Sequence, residues 1–470
     1  MTRKRSAERL SQAGLLGLVA LMGFAGSARA QAPVVVPPDR IEQDELNFEG
    51  RASLFVGSGA RALGMGGAFL ARADDATAAT WNPAGLSYLR LPEVSAVGVR
   101  NTSDATLHEG DVLRETDTLS STAPDFLSLA YPVTLGEVSG SVQLSFQRVI
   151  PYSGTRQIER ARGDRQLFLD SEGGFDVLAL GTGLQVARGL RVGFTLNRWG
   201  NGYRQHTLRT VRRRGTNDVD FQFSGFNVNL GVIWTPVEGL NIAAVGKTPF
   251  TGDVFMSKSR TDVAADLPDV PPDTPADTIT SNSFASGAIR VDMPGALGGG
   301  VSWRPRSNVT VSADYTRTFW SKGKIHNFFT LPPGSLTGPG PEPMPPDDVF
   351  PVLPFPTLDP TRSQTDADQF RVGAEYVLLF QRFKWPLRAG YFNEGQFFRT
   401  GDGSAPRFNG GAVGTGLIVG PVLLDVAYNF ESGTYSDFSV DAGGDVTLQE
   451  RSRTFHRLFF SMIYRHGGRP

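Results

Sequence analysis

The chain has 470 residues, 40% hydrophobic and 20% charged, with 55 glycines, 31 prolines, no cysteine and a formal net charge of −1. The missing cysteine excludes a disulfide framework, a thiolate metal site, a cysteine nucleophile and a lipoprotein anchor. Near-neutral charge supplies no field for nucleic acid, and a glycine share well above the usual ~7% is foreign to an ordinary soluble α/β enzyme.

Arg3, Lys4, Arg5 and Arg9 precede an apolar stretch from Ala13 to Gly26, and Ala28-Arg29-Ala30 fits a cleavage site before Gln31. Residues 1–30 read as a secretory signal peptide. The apolar run falls well short of the ~20 residues a spanning helix needs, and no later stretch approaches that length. The mature chain is expected to be periplasmic, secreted or an outer-membrane barrel.

Residues 31–90 form an N-terminal segment ahead of the strands. Within it, Gly57 to Leu89 is rich in small residues and lacks strand alternation. A helical turn or two is predicted over 68–79, ended by Trp81-Asn82-Pro83, because proline disfavours helical backbone at the residue before it. Gly57-Ser58-Gly59 with Ala62 loosely matches a dinucleotide fingerprint, but no βαβ unit surrounds it. Phe55, Phe69 and Leu70 are candidates for the wall of an apolar ligand pocket; ordinary packing against the strands is the alternative.

After residue 90 the pattern is period-2 alternation. Strands are predicted at 91–101, 125–134, 138–150, 174–187, 191–202, 217–236, 240–250, 284–304, 308–320, 368–380, 386–396, 410–419, 420–432 and 452–465. Short turns near 135, 189, 238, 306, 383 and 420 alternate with long polar loops at 102–124, 151–173, 203–216, 251–283, 321–367, 397–409 and 433–451. This describes an all-β fold, an antiparallel transmembrane barrel of about fourteen strands over 91–470, with both termini on the periplasmic side. Several strands exceed the ~10 residues that span a bilayer, so the wall should project beyond it. Pro294-Gly295 predicts a kink or bulge. The loop at 264–276 is low in complexity, and 331–360 holds 11 of the prolines together with Val349, Phe350, Val352, Leu353 and Phe355. That second loop reads as a cover for the barrel mouth or a landing site for an apolar ligand.

Alternation turns Asp314, Arg371, Glu375, Arg388, Glu394 and Asp425 into the lumen. Isolated buried charge is expensive, so these should pair with one another and with the N-terminal segment. Arg371 and Arg388 are also candidates for ligand contact, because a guanidinium grips a carboxylate bidentately, and Glu394 beside them is a further candidate. None of the five histidines forms a metal or catalytic motif, and no G-x-S-x-G elbow occurs. No enzyme activity, cofactor or metal is expected.

Gly64-Met65-Gly66-Gly67, Asp74-Asp75-Ala76 and Asn82-Pro83-Ala84 resemble the N-terminal hatch of FadL-type outer-membrane transporters (the OMPP1/FadL/TodX family), which carry long-chain fatty acids and other hydrophobic compounds. Gly246 to Phe250, Asp292-Met293-Pro294, Asp314-Tyr315, Trp320-Ser321, Arg371 to Tyr376 and Leu387 to Tyr391 are similar to that family's strands. The resemblance implies a barrel plugged by a hatch. It implies passive, multi-pass outer-membrane transport in a Gram-negative bacterium. Gly64, Gly66, Asn82, Pro83 and Ala84 are candidates for the gate; at Asn82-Pro83 a structural turn, capped by the asparagine side chain and set at a constriction, is the favoured alternative. Its partners would be a hydrophobic small molecule and outer-membrane lipid. The Gly-Met-Gly run is also similar to barrels that serve secretion. A structural barrel binding protein partners without transporting a ligand is therefore the alternative, with an open porin behind it.

Overall fold

The computed structural model describes residues 57–109, 112–151, 154–160, 166–210, 213–264, 280–326, 365–400, 403–440 and 446–467. Its wall has fourteen strands. The unbroken ones are β1 (Glu93–Glu109), β2 (Val112–Leu135), β4 (Gln166–Ala187), β6 (Arg213–Val237), β10 (Ala367–Leu379), β11 (Lys384–Gly395), β12 (Arg407–Val419), β13 (Val422–Val440) and β14 (Val446–Arg465). Five are interrupted: β3 (Val138–Pro151, Gly154–Arg160), β5 (Leu190–Gly200, Gly202–Thr210), β7 (Leu240–Lys247, Phe250–Ala264), β8 (Thr280–Met293, Ala296–Arg306) and β9 (Val309–Thr318, Lys324–His326). The two pieces of each share their neighbouring strands, Lys324–His326 of β9 pairing with β8 alone, so each is one strand of the wall. Every pairing is antiparallel, and β14 closes onto β1 from Glu93↔Arg465 to Glu109↔Gln449.

The side chains sort as alternation requires. On β9, Thr310, Ser312, Asp314, Thr316 and Thr318 are buried while Val311 and Tyr315 are exposed. The same inversion recurs around the wall, with Leu129, Leu180, Leu196, Trp234, Trp303, Phe370, Val413 and Phe460 all turned outward. A continuous apolar exterior over a polar interior is a surface made for lipid. No helix among the described residues is long and apolar enough to cross a membrane; the strands make the crossing.

All six short turns fall where expected. Four carry a glycine of positive φ, at Gly136, Gly189, Gly239 and Gly420, as tight hairpins demand. The long loops are corrected. β1 runs to Glu109 and β2 starts at Val112, inside the segment expected as loop. β13 and β14 likewise continue to Val440 and from Val446. Above the lipid both faces of the wall meet water, so polar residues fill both faces and the alternation signal fades while the backbone ladder continues. The 25 residues of β6 amount to about 80 Å of strand at ~3.3 Å per residue. The wall therefore projects far beyond a bilayer. The proline-rich segments 265–276 and 331–360 lie outside the described residues, as do the signal peptide and Phe55. Pro294-Gly295 interrupts β8 as expected, and Gly295 O accepts from Phe319 N–H.

Residues 57–89 pack inside the wall as a plug, and they fall in one compact unit with the barrel. A helical turn at Ala60–Leu63 meets β12 to β14, and a 3-10 helix at Pro83–Tyr88 meets β3 to β6. The turn expected over 68–79 falls instead at Ala78–Trp81. Over the preceding stretch the backbone bonds to the wall: the Phe69 and Leu70 N–H groups donate to Asp314 at 2.6 and 2.8 Å. Met65, Phe69, Leu70, Trp81 and Leu86 form the plug's core with Val99, Ile233 and Phe459 of the wall.

Candidate functional site

The plug seats its backbone on wall glycines. Gly183, Gly193 and Gly231 are register partners across β4, β5 and β6. They make a strip without side chains, and Asn82-Pro83-Ala84 lies in it. A Cβ on any of the three would fall under 3.0 Å from plug atoms of Asn82, Pro83 or Ala84. Gly373 and Gly390, paired on β10 and β11, receive Met65-Gly66 in the same way. Gly66 and Gly67 take φ of 66° and 77°, conformations that suit only glycine, and this turn lays the chain flat against the wall.

Asn82 is fully buried and uses its whole amide. Its Oδ1 accepts from Ala84 N–H at 3.1 Å, capping the 3-10 helix. Its Nδ2 donates to Leu70 O at 3.0 Å within the plug and to Val232 O at 3.2 Å on β6. Gln143 and Ser141 of β3 donate to the Ala76 and Leu86 carbonyls, each at 2.6 Å.

On the opposite side the plug is held by charge. Arg61 contacts Asp74 at 2.7 Å, Asp75 at 3.3 Å and Glu375 at 3.3 Å. Arg72 pairs with Asp74 and, at 3.2 Å, with Glu375. Arg388 bridges Glu375 at 2.8 Å and Asp425 at 2.7 Å. Burial alone would lower the Arg61 pKa, but the carboxylates of Glu375 and Asp75 outweigh it and hold the guanidinium charged above its ordinary value. Glu375 is the shared acceptor of all three arginines, joining plug to wall.

Beside the plug, toward the long-hairpin end, lies a pocket between Ala79-Thr80 and strands β3 to β7. Its lining includes Gln147, Asn197, Trp199, Asn227, Lys247 and Phe250. Asn227 Oδ1 accepts from Asn197 Nδ2 at 3.2 Å and from Trp199 Nε1 at 2.8 Å. Trp199 stacks on Phe250 with centroids 5.5 Å apart and meets Phe223 edge-on at 6.1 Å; Phe223 also tilts against Phe175 at 4.9 Å. The pocket thus joins an aromatic wall to a row of amides. Its volume is about 30 Å³, room for one or two waters, so an apolar ligand enters it only if Ala79 and Thr80 of the plug move aside.

The six charged residues expected in the lumen all face inward. Arg388 is 1% exposed with two carboxylates on it, so a ligand acid reaches it only by displacing one. Arg371 donates to Gln369 at 2.8 Å and to Glu394 at 2.9 Å, beside the Trp81 ring. Phe69 and Leu70 are in the plug's core rather than at the pocket, and Phe69 meets Trp81 edge-on at 6.1 Å. Gly64 lies against Gly414 of β12, and Gly66 against Tyr391 of β11. Sequence reasoning missed the glycine seats and the amide row. Both were present as inward positions of recognisable strands, but small and neutral residues carry no mark of their own.

The pattern of the BamG family matches residues 57–330. No curated protein matches the chain. Among solved structures, a Pseudomonas aeruginosa FadL homologue superposes with a TM-score of 0.59 at 11% identity, covering 87% of this chain and 98% of that one. The CymD monoaromatic hydrocarbon channel gives 0.55 at 16% identity, with coverage of 87% and 98%. The P. putida toluene transporter TodX gives 0.53 at 13%, with coverage of 88% and 99%. Identities this low establish a shared fold.

Proposed function

This chain belongs to the BamG family. Independently of that membership, we propose that it carries hydrophobic compounds across a Gram-negative outer membrane. The observation that carries the reading is the pocket of stacked aromatics and amides beside the plug, inside a wall whose exterior suits lipid. The shared fold with structures described as hydrocarbon channels and a toluene transporter supports it. Long-chain fatty acids are the proposed cargo: an acyl chain suits the aromatic wall, and its carboxylate suits the amides and Lys247. Arg371 and Glu394, toward the outer ends of β10 and β11, and Arg388, nearer the short turn, are the proposed contacts for the polar end of a ligand. Gly64, Gly66, Asn82, Pro83 and Ala84 are the proposed moving parts, since their seats must empty for the plug to shift. The test is a binding titration of oleate and of toluene against the purified barrel, followed through tryptophan fluorescence. Saturable oleate binding that Trp199→Ala abolishes supports the reading; no saturable binding of either compound refutes it.

A second reading rests on how tightly the plug is seated. Backbone pressed onto glycine at two places and three arginines held by four carboxylates describe a plug built to stay. On that reading the barrel is a structural partner of other outer-membrane proteins, and it co-purifies with them without bound lipid.

A further inference from the structure

The short-turn rim of the barrel carries its charge unevenly. On one part of it the cations are engaged. Arg465 pairs with Glu93 at 2.7 Å, Arg90 donates to Ser139 and Gln185, and Arg191 sits over the Tyr88 ring at 4.1 Å. Arg188 stands singly on the β4–β5 turn. Two other turns differ. The β8–β9 turn reads Arg304-Pro305-Arg306-Ser307-Asn308, and the β10–β11 turn reads Phe380-Gln381-Arg382-Phe383-Lys384. All four cations are exposed and neither turn holds an acid. Among the described residues none of the four makes an ion pair, not even Arg304 with Glu238 on the adjoining turn.

The two turns lie side by side. Val309 is paired with Tyr376, and Val377 N–H donates to Asn308 O at 2.8 Å. From β8 to β11 is three strand spacings, about 15 Å at ~4.8 Å each. Arg306 is paired with Val309, which shares a face with exposed Val311, so Arg306 belongs to the lipid side. Phe380 N–H donates to Phe383 O at 3.0 Å and their rings stack at 4.5 Å, which holds Arg382 at the tip of its turn.

Next to these cations lies the edge of the lipid-facing band. Trp303 precedes Arg304, Trp385 follows Lys384, and both are exposed, as is Phe380. Trp385 Nε1 donates to Thr415 Oγ1 at 2.8 Å, which fixes the ring. Indole rings favour the depth of the headgroups in a bilayer. A long cationic side chain beside them lays its stem on apolar surface and brings its charge to a phosphate, which a guanidinium grips bidentately. A single unpaired arginine on a turn is satisfied by water. Four cations in one arc, bordered by two indoles at the lipid edge, form a headgroup site.

We propose that this arc binds an anionic phospholipid of the periplasmic leaflet. Arg306 and Arg382 hold the phosphodiester, Arg304 and Lys384 add to the positive potential, and the acyl chains lie along Trp303, Phe380 and Trp385. The proposal rests on the outer-membrane placement with short turns toward the periplasm, and it is independent of any cargo.

The test is native mass spectrometry of the full chain in detergent, titrated with phosphatidylglycerol or phosphatidylcholine of the same acyl chains. Selectivity is the ratio of the two first-binding constants. Arg304→Gln, Arg306→Gln, Arg382→Gln and Lys384→Gln are combined in one variant. A control with Arg90→Gln, Arg100→Gln, Arg188→Gln and Arg198→Gln removes the same charge from other exposed positions. Folding is checked by heat-modifiable migration. The parent should prefer phosphatidylglycerol at least 10-fold, the arc variant less than 2-fold, and the control at least 5-fold. Should the arc variant fail to fold, Arg306→Gln with Arg382→Gln alone decides, with an expected loss of at least 3-fold in selectivity. A parent without selectivity, an arc variant that keeps it, or equal loss in arc variant and control each overturn the proposal. An acidic protein bound stoichiometrically to an unselective parent, and lost from the arc variant, overturns it too by assigning the arc to a protein partner.

Discussion

Glu375→Gln tests what holds the plug. Glu375 accepts from Arg388 Nε at 2.8 Å, Arg72 Nη2 at 3.2 Å and Arg61 Nε at 3.3 Å, and it is 4% exposed. Removing one partner of a buried ion pair costs about 3–5 kcal/mol. The lower end applies here, because Arg61 and Arg72 keep Asp74 and Arg388 keeps Asp425. At ~1.4 kcal/mol per decade, about 3 kcal/mol raises the undocked population roughly 100-fold. The assay is thiol labelling of Ala76→Cys, a plug position with no exposure. The expected outcome is labelling about 100-fold faster in the Glu375→Gln background. Glu431→Gln, which disturbs the wall-to-wall pair with Arg457 at 2.7 Å, should leave the rate unchanged. A rate within threefold of the parent in a folded Glu375→Gln barrel refutes the reasoning. It would assign the hold to the glycine seats alone.

Gly193→Val puts side-chain atoms where Pro83 and Ala84 lie, so the plug should be displaced or the barrel should fail to migrate as folded. Gly200→Ala, with open space around its Cβ position, should be neutral in the same gel assay. Asn82→Ala removes three buried hydrogen bonds; at ~1 kcal/mol each, amide exchange across residues 82–88 should accelerate about 100-fold while that of the wall stays slow. Asp314→Asn weakens the two bonds that its Oδ2 accepts from Phe69 and Leu70 N–H, worth ~1 kcal/mol each. Exchange of those two amides should rise before any change in barrel melting.

Much of the wall was legible because lipid outside and a polar lumen inside impose alternation residue by residue. Phe370 and Arg371 on β10 show it: neighbours in sequence, one exposed and one buried. The same rule turned Glu375, Arg388 and Asp425 inward, but it could not say that Arg61 and Arg72 meet them, since that pairing spans 303 residues or more to Glu375. The outer hairpins read as loops because no apolar face survives above the bilayer. The glycine strip escaped notice for a different reason. Gly183, Gly193 and Gly231 each look like a weak point in one strand, and only register makes them a single groove.

The most direct test of the central claim is oleate uptake by a Gram-negative host that lacks its own long-chain fatty acid transporter and displays this barrel, folded, in its outer membrane. The account predicts uptake above the empty host, reduced to background by Trp199→Ala at equal surface abundance. Background uptake by the folded parent chain would contradict long-chain fatty acid transport and favour the partner-binding barrel.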